Sequence, residues 1–174
     1  FSLPSVHRPR TGGHAPVQLK GRKHSLERDR QVIGYHYDLS NDFFGLWLDR
    51  DLLYTCAYFA APDEDLETAQ KRKMDYVCRK LRLKAGERLL DIGCGWGALI
   101  QHAAQHYGVE AVGVTLSRRQ VELANERIRQ AGLEGRCRVE YRDYRELDGA
   151  EGYDKIACVG VLEHLGQSMM PTFF

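Results

Sequence analysis

Long hydrophobic runs are absent from this chain of 174 residues. Its longest apolar stretch, counting glycine, is the nine residues 92–100. A helix that crosses a bilayer needs about 20 apolar residues, so the sequence predicts no transmembrane segment. The first residues also lack the charged-then-apolar order of a secretory signal, and we therefore expect no such signal.

Closely spaced cysteine pairs are also missing. The chain has five cysteines and no C-x-x-C pair. An odd number without clustered spacing argues against a disulfide scaffold and against a zinc site. We therefore predict no bound metal and a location in the reducing cytoplasm.

Neither sign of charge dominates the whole chain, whose net charge is +1. Two regions, however, are strongly charged, one positively and one negatively. Residues 1–30 carry seven basic side chains against two acidic ones, and residues 31–70 carry eight acidic against one basic. A basic arm can favour anionic lipid or nucleic acid, and a solvated tail is the plainer interpretation. The near-neutral total and the lack of a basic and aromatic stripe argue against nucleic acid.

The composition changes along the chain. Residues 1–24 contain several prolines and glycines and no periodic apolar face, which is typical of a linker. Residues 25–85 predict three helices from their apolar spacing and capping residues. These helices are expected to begin at Ser25, at Asn41 or Asp42, and at Pro62, the last ending near Leu83.

After Gly86 short apolar strands alternate with helical segments. The predicted strands are 88–92, 109–114, 137–141 and 153–159, and the predicted helices are 97–107, 117–131 and a last one from 165 onward. This alternation predicts an α/β fold with a parallel sheet and helices on both faces. Four strands do not complete a doubly wound sheet, so we expect the chain to be a C-terminally truncated piece of a longer protein.

A glycine-rich turn, residues 93–97, joins the first strand to the helix that follows it. Glycines there let a ligand approach the backbone, and ligands of open α/β sheets bind at the carboxyl ends of strands. A dinucleotide fingerprint would read G-x-G-x-x-G, with an acid at the end of the second strand. Here the third glycine comes one residue early and the acid is missing. A P-loop sequence is also absent, so the turn predicts a different ligand.

Five segments in order resemble the cyclopropane fatty acid synthase family, which includes the mycolic acid cyclopropane synthases. They are residues 36–44, 54–59, 89–97, 113–120 and 160–166. The resemblance implies a Rossmann-like class I methyltransferase fold, in which residues 25–85 cover the active site and 86–174 form part of an S-adenosylmethionine-binding domain. It also implies transfer of a methylene group to the cis double bond of an unsaturated phospholipid acyl chain, which forms a cyclopropane ring.

The resemblance assigns roles to individual residues. Glu163 is similar to the carboxylate that holds a bicarbonate ion, the base in this family. Cys56 resembles the cysteine beside that ion, and Tyr37 lies where the family places a residue near the reacting methyl. The implied cofactor contacts are Tyr54, Thr55, Asp91, Gly93, Cys94, Gly95, Gly97, Thr115, Leu116, Gln120 and Tyr144.

Alternatives to these roles stay open. Cys56 could be a small buried hydrophobe, and Glu163 an acid that favours the first turn of a helix. Relatives of the fold methylate other acceptors, such as amines or lipids that become methyl-branched, and a non-catalytic fragment is a third alternative. We expect a cytoplasmic protein peripheral to the inner face of the membrane, which could form homo-oligomers.

Overall fold

Four parallel strands form one sheet in the order β3-β2-β1-β4. The computed structural model describes residues 20–37, 40–149 and 152–174, so most of the predicted linker lies outside the described residues. The strands are β1 (Arg88–Ile92), β2 (Glu110–Thr115), β3 (Cys137–Tyr141) and β4 (Lys155–Cys158). The helices are α1 (Leu26–Tyr37), α2 (Asn41–Gly45), α3 (Leu66–Leu81), α4 (Ala98–Tyr107), α5 (Arg118–Gln130), α6 (Leu162–Leu165) and α7 (Met170–Phe173).

The register places β1 at the centre of the sheet. Leu90 of β1 pairs with Val112 of β2 on one side and with Ile156 of β4 on the other. All four strands run in the same direction, so their carboxyl ends meet at one edge. The predicted parallel α/β fold of the Rossmann-like class is thereby confirmed.

The two faces of the sheet carry different cores. On one face Leu89 packs with side chains of α3, α4 and α5, including Met74 and Cys78 of α3. On the other face Leu90 and its neighbours pack against the segment around Tyr144 and against Phe173 of α7. Since α3 shares its core with the sheet, the division of the chain into domains at residue 85 stays a prediction.

Three predicted helix starts are wrong in detail. α3 begins at Leu66 and not at Pro62, because Asp65 is its N-cap and accepts a hydrogen bond from the Thr68 amide at 2.9 Å. Ser40, rather than Asn41 or Asp42, caps α2, because its hydroxyl accepts a hydrogen bond from the Phe43 amide at 3.1 Å. The last predicted helix begins at Leu162 and not at residue 165, since only three residues separate β4 from α6. This early turn keeps Glu163 at the carboxyl edge of the sheet.

The composition led us to expect no disulfide scaffold and no transmembrane segment. All five cysteines are free thiols, and Cys78, Cys94 and Cys137 are buried. Within the described ranges, no helix combines the length and the apolar character needed to cross a bilayer.

Candidate functional site

A cavity lies at the carboxyl edge of the sheet, and its wall includes the segment that follows each of the four strands. The ends of β1 and β2 with the turns after them contribute residues 91–96 and 114–116, and the segments after β3 and β4 contribute residues 142–145 and 159–161. The opposite wall consists of α1, residues 52–55 and Lys73 of α3. Eleven of the predicted site residues line this cavity: Tyr37, Tyr54, Thr55, Asp91, Gly93, Cys94, Gly95, Thr115, Leu116, Gln120 and Tyr144.

The glycine turn brings the backbone of β1 close to the turn after β4. Gly93 has a φ of 73°, and a Cβ placed there would lie 2.2 Å from Val161 Cγ2. The amides of Gly93 and Cys94 both donate to the Val114 carbonyl, at 3.0 and 3.1 Å. Gly97 is placed outside the cavity lining, as the N-cap of α4 beside Val139. Its position is explained by helix packing.

Asp91 is the central acidic group of the cavity. It is the last residue but one of β1, is only 4% exposed, and has no side-chain hydrogen bond within the described part of the chain. Burial raises the pKa of Asp91 to about 7, and the positive charge of Lys73 opposes this rise. A buried carboxylate without a partner is costly, so the site favours a ligand that brings a positive charge or a donor.

Thr115 and Gln120 form a buried pair where β2 passes into α5. The Thr115 hydroxyl donates to Gln120 Oε1 at 2.6 Å, and Ser117 caps the helix between them. The Gln120 amide nitrogen has no partner in the described ranges, so it can donate to a ligand. These are the groups that hydroxyls of a bound ligand would meet at this position.

Asp143, Tyr144 and Arg145 follow β3. Arg145 Nε and Nη2 donate to the two Asp143 carboxylate oxygens at 2.8 and 2.7 Å. The same side chain reaches α1, with Asp29 Oδ2 at 3.0 Å and the His24 carbonyl at 3.0 Å. Burial alone would raise the pKa of Asp143, but these hydrogen bonds outweigh it and the pKa is lowered. Sequence reasoning missed Asp143, although its spacing to Glu146 is that of a capping box.

Aromatic rings form the wall between the glycine turn and α2. The Tyr37 ring centroid lies 6.0 Å from that of Tyr54, and Phe44 lies 5.0 Å from Trp96. Trp96 Nε1 donates to Asn41 Oδ1 at 2.8 Å, which ties the turn to α2. Burial, and then the charges of Tyr54 and Glu163, raise the pKa of Tyr37. Tyr37 therefore stays a neutral ring that can face a cation.

Cys56 and Glu163 are placed next to the cavity rather than in its wall. Both are exposed; Cys56 follows the lining residue Thr55, and Glu163 lies in the first turn of α6. A Cβ placed at Gly160, which lines the cavity, would lie 3.7 Å from Glu163 Oε1. The carboxylate thus lies at the rim of the cavity, and the roles predicted for these two residues stay predictions.

Lys73 lines the cavity and was not predicted. It lies on α3 one turn after the buried Gln70, and its side chain is half-buried. The sequence offered one signal: the helical spacing places this lysine on the face of α3 that carries the buried residues. Lysines are rarely buried, so a lysine on that face is unusual.

A parallel sheet with a glycine turn and a cavity at its carboxyl edge defines a Rossmann-like fold of the class I methyltransferase kind. Residues 24–174 match the family described as mycolic acid cyclopropane synthetase. The chain belongs to this family, which confirms the resemblance stated from the five segments.

Named relatives agree with this assignment. A probable fatty acid methyltransferase of Pseudomonas putida is 45% identical over 152 residues, covering 87% of this chain and 39% of that protein. The cyclopropane-fatty-acyl-phospholipid synthase of Escherichia coli is 45% identical over 139 residues, covering 80% of this chain and 35% of that protein. The chain thus spans less than half the length of these two relatives.

Solved structures show the same fold. Mycolic acid cyclopropane synthase CmaA1, complexed with SAH and CTAB, has a TM-score of 0.78 and 38% identity, covering 83% of this chain and 50% of that one. Coclaurine N-methyltransferase, bound to N-methylheliamine and SAH, has a TM-score of 0.70 and 29% identity, covering 74% of this chain and 37% of that one.

Proposed function

We propose that this protein transfers a methylene group from S-adenosylmethionine to the cis double bond of an unsaturated fatty acyl chain of a phospholipid, forming a cyclopropane ring. The observation that carries the proposal is the cavity itself. It combines the partnerless carboxylate of Asp91 and the glycine turn on one side with a wall of aromatic rings on the other. Family membership supports the same chemistry.

The residues present fit S-adenosylmethionine. Asp91 would hold the ammonium of its amino-acid end, because this buried carboxylate lacks a partner. Gly93 lets that end lie against the backbone, Gln120 would donate to the ribose hydroxyls, and Tyr144 offers a ring to the adenine. When bound, this cofactor would supply an electrophilic methyl group on a positively charged sulfur, with S-adenosylhomocysteine as the leaving group. The transferred methyl group must then lose one proton to a base for the ring to close, so the acyl chain gains CH₂.

The acceptor side must exclude water and orient a weak nucleophile. Tyr37, Tyr54 and Trp96 supply apolar faces at the turn, and their electron-rich rings can stabilise positive charge as it develops on an alkyl chain. Orientation is the larger contribution, since an alkene reacts only when its double bond is aligned with the methyl group.

The prediction that a bound bicarbonate ion acts as the base is more specific than the prediction of the cofactor. Glu163 at the rim could accept a hydrogen bond from the hydroxyl of that ion, and Cys56 is the other predicted neighbour. Both offer few donors to an anion, so we derive no step through it, and bicarbonate stays a prediction.

Methyl transfer to a small amine is the second candidate function. It is favoured by the similarity to coclaurine N-methyltransferase, whose structure holds N-methylheliamine. The two candidates share the cofactor and differ in the acceptor. A long apolar acceptor site favours the acyl chain, and a short polar one favours the amine.

Docking at the inner face of an anionic membrane is also proposed. The seven basic residues among the first 30 support it, because they attract anionic headgroups. Salt should therefore weaken the binding of the protein to vesicles that contain phosphatidylglycerol. A homo-oligomer stays a prediction that sedimentation would test.

The decisive experiment incubates the full-length protein with methyl-labelled S-adenosylmethionine and vesicles of a cis-monounsaturated phospholipid. We expect the acyl chains to gain the mass of one CH₂ group, and NMR to show ring protons. Vesicles of the saturated lipid are the control and should stay unchanged. An enzyme that binds S-adenosylhomocysteine, leaves the lipid unchanged and methylates an amine would instead support the second candidate.

A further inference from the structure

The ammonium group of Lys73 on α3 lies in the cavity wall beside a neutral group, the hydroxyl of Thr55. Its Nζ donates to Thr55 Oγ1 at 2.5 Å. Within the described residues, no carboxylate lies in ion-pair range of this nitrogen, which is 4.0 Å or less. A half-buried ammonium without a counter-charge is costly, so an anionic ligand group would be favoured beside it.

The contact fixes how the Thr55 hydroxyl can bond. An ammonium group has three donors and no acceptor, so Thr55 Oγ1 must accept from Lys73. A hydroxyl also has one hydrogen to donate. That hydrogen is therefore left for another acceptor, and the cavity is the space that Thr55 lines.

Thr55 is held on two further sides. Gln70 Nε2, one helical turn before Lys73, donates to the Thr55 carbonyl at 3.0 Å. A Cβ placed at Gly160 would lie 2.7 Å from Thr55 Cγ2, so the methyl group packs against the turn after β4. With its carbonyl and methyl group fixed, the side chain presents its hydroxyl between Lys73 and the cavity.

The same cavity carries the opposite charge on Asp91. Burial lowers the pKa of Lys73, and the charges of Asp49, Cys56 and Asp91 counter this. Lys73 and Asp91 thus face one space without forming an ion pair within the described residues. That arrangement suits a zwitterion, with its ammonium toward Asp91 and its carboxylate toward Thr55 and Lys73.

We propose that Lys73 is a positioning residue for ligand binding: it fixes Thr55 Oγ1 as an acceptor, so that Thr55 donates its hydroxyl hydrogen to the carboxylate of the bound amino-acid end. This inference rests on the proposed use of S-adenosylmethionine and adds the residue that selects for its carboxylate. Lys73 acts through Thr55 and through its positive charge.

The test compares two ligands that differ in one carboxylate. Calorimetry measures the Kd of S-adenosylhomocysteine and of its decarboxylated analogue for the full-length wild type and for Lys73→Met. We expect Lys73→Met to weaken the first ligand about tenfold or more and to change the second less than about twofold. Equal weakening of both ligands, or of neither, would overturn the proposal.

Two further variants complete the test. Thr55→Val should show the same selective loss, and adding Lys73→Met to it should change the Kd of S-adenosylhomocysteine by less than an additional factor of about three. Lys80→Met makes the same change on an exposed part of α3 and should alter neither Kd. If Lys73→Met fails to fold, Thr55→Val still decides, because an unselective loss would contradict the proposed donor. If wild type binds neither ligand, the proposed function itself fails.

Discussion

The strand side of the cavity, residues 91–96 and 114–116, can be compared with its cover, which consists of α1 and residues 41–55. The strand side is held by backbone hydrogen bonds, such as those from Gly93 and Cys94 to the Val114 carbonyl. The cover is held mainly by side chains that are distant in sequence: Trp96 and Asn41 are 55 residues apart, and Arg145 and Asp29 are 116 apart (145 − 29). Local backbone geometry builds one side, and tertiary contacts build the other.

This difference predicts how each side responds to mutation. Changes in the strand side should disturb the sheet, because its turns are continuous with the central strand. Changes in the cover should release α1 or α2 and leave the sheet folded.

The largest effect is expected for Gly93→Ala. The left-handed backbone and the contact with Val161 should together lower the free energy of unfolding by about 3 to 4 kcal/mol, as measured by denaturant titration. Gly95→Ala is the matched control: its backbone is also left-handed, but a Cβ there has nothing within 4 Å, so the expected loss is about 1 kcal/mol. Equal losses would show that the contact with Val161 is unimportant.

The next effect concerns pH and Asp91. Burial raises its pKa to about 7, whereas an unfolded Asp titrates near 4, so its contribution to stability is full below about pH 4 and is lost as the pH rises through about 7. Asp91→Asn removes this loss. The variant should exceed wild type by on the order of 3 kcal/mol in free energy of unfolding at about pH 8, with no such gain at about pH 4. A gain that is independent of pH would contradict the buried carboxylate.

A smaller effect is expected where the two sides meet. Trp96→Phe keeps a ring against Phe44 and removes the hydrogen bond to Asn41, leaving that amide oxygen without its partner. We expect a loss of about 1 to 2 kcal/mol. Asn41→Ala in the Trp96→Phe background should then cost little more, and full additivity of the two losses would contradict a shared hydrogen bond.

The smallest effect is expected in the cover alone. Asp29→Asn weakens the ion pair between α1 and Arg145, which is partly exposed, so global stability should fall by only about 0.5 kcal/mol. Hydrogen exchange of α1 amides should nevertheless become faster, while exchange in β1 should not change. Equal acceleration in both elements would show that cover and sheet unfold together.

The same contrast explains what the sequence could predict. The strand β1 and the turn after it were predicted correctly. A short apolar run and the glycines that end it lie within ten residues of one another, so local sequence is enough to place both. The family resemblance likewise placed Asp91, Thr115 and Gln120 at one edge, and the structure brings them into one cavity.

Lys73 and Asp143 escaped prediction for a physical reason. Lys73 depends on Thr55, which is 18 residues away, and Asp143 holds Arg145, whose other ion-pair partner, Asp29 of α1, is distant in sequence. Nothing in a half-buried lysine distinguishes it from a solvated one until the helix face is known. The cap of α2 was missed because Ser40, Asn41 and Asp42 are all good N-caps, and only backbone geometry chooses among them.

The side chain of Cys94, in the turn after β1, fills the space beside Gly113 of β2. A Cβ at Gly113 would lie 2.6 Å from the sulfur and 2.7 Å from the Cβ of Cys94, so β2 can carry a methyl group there only if position 94 loses its side chain. The two positions should therefore vary together in any redesigned chain. Replacing Cys94 with glycine first would make room for alanine at position 113. Introducing the alanine first would place its Cβ against the Cys94 side chain.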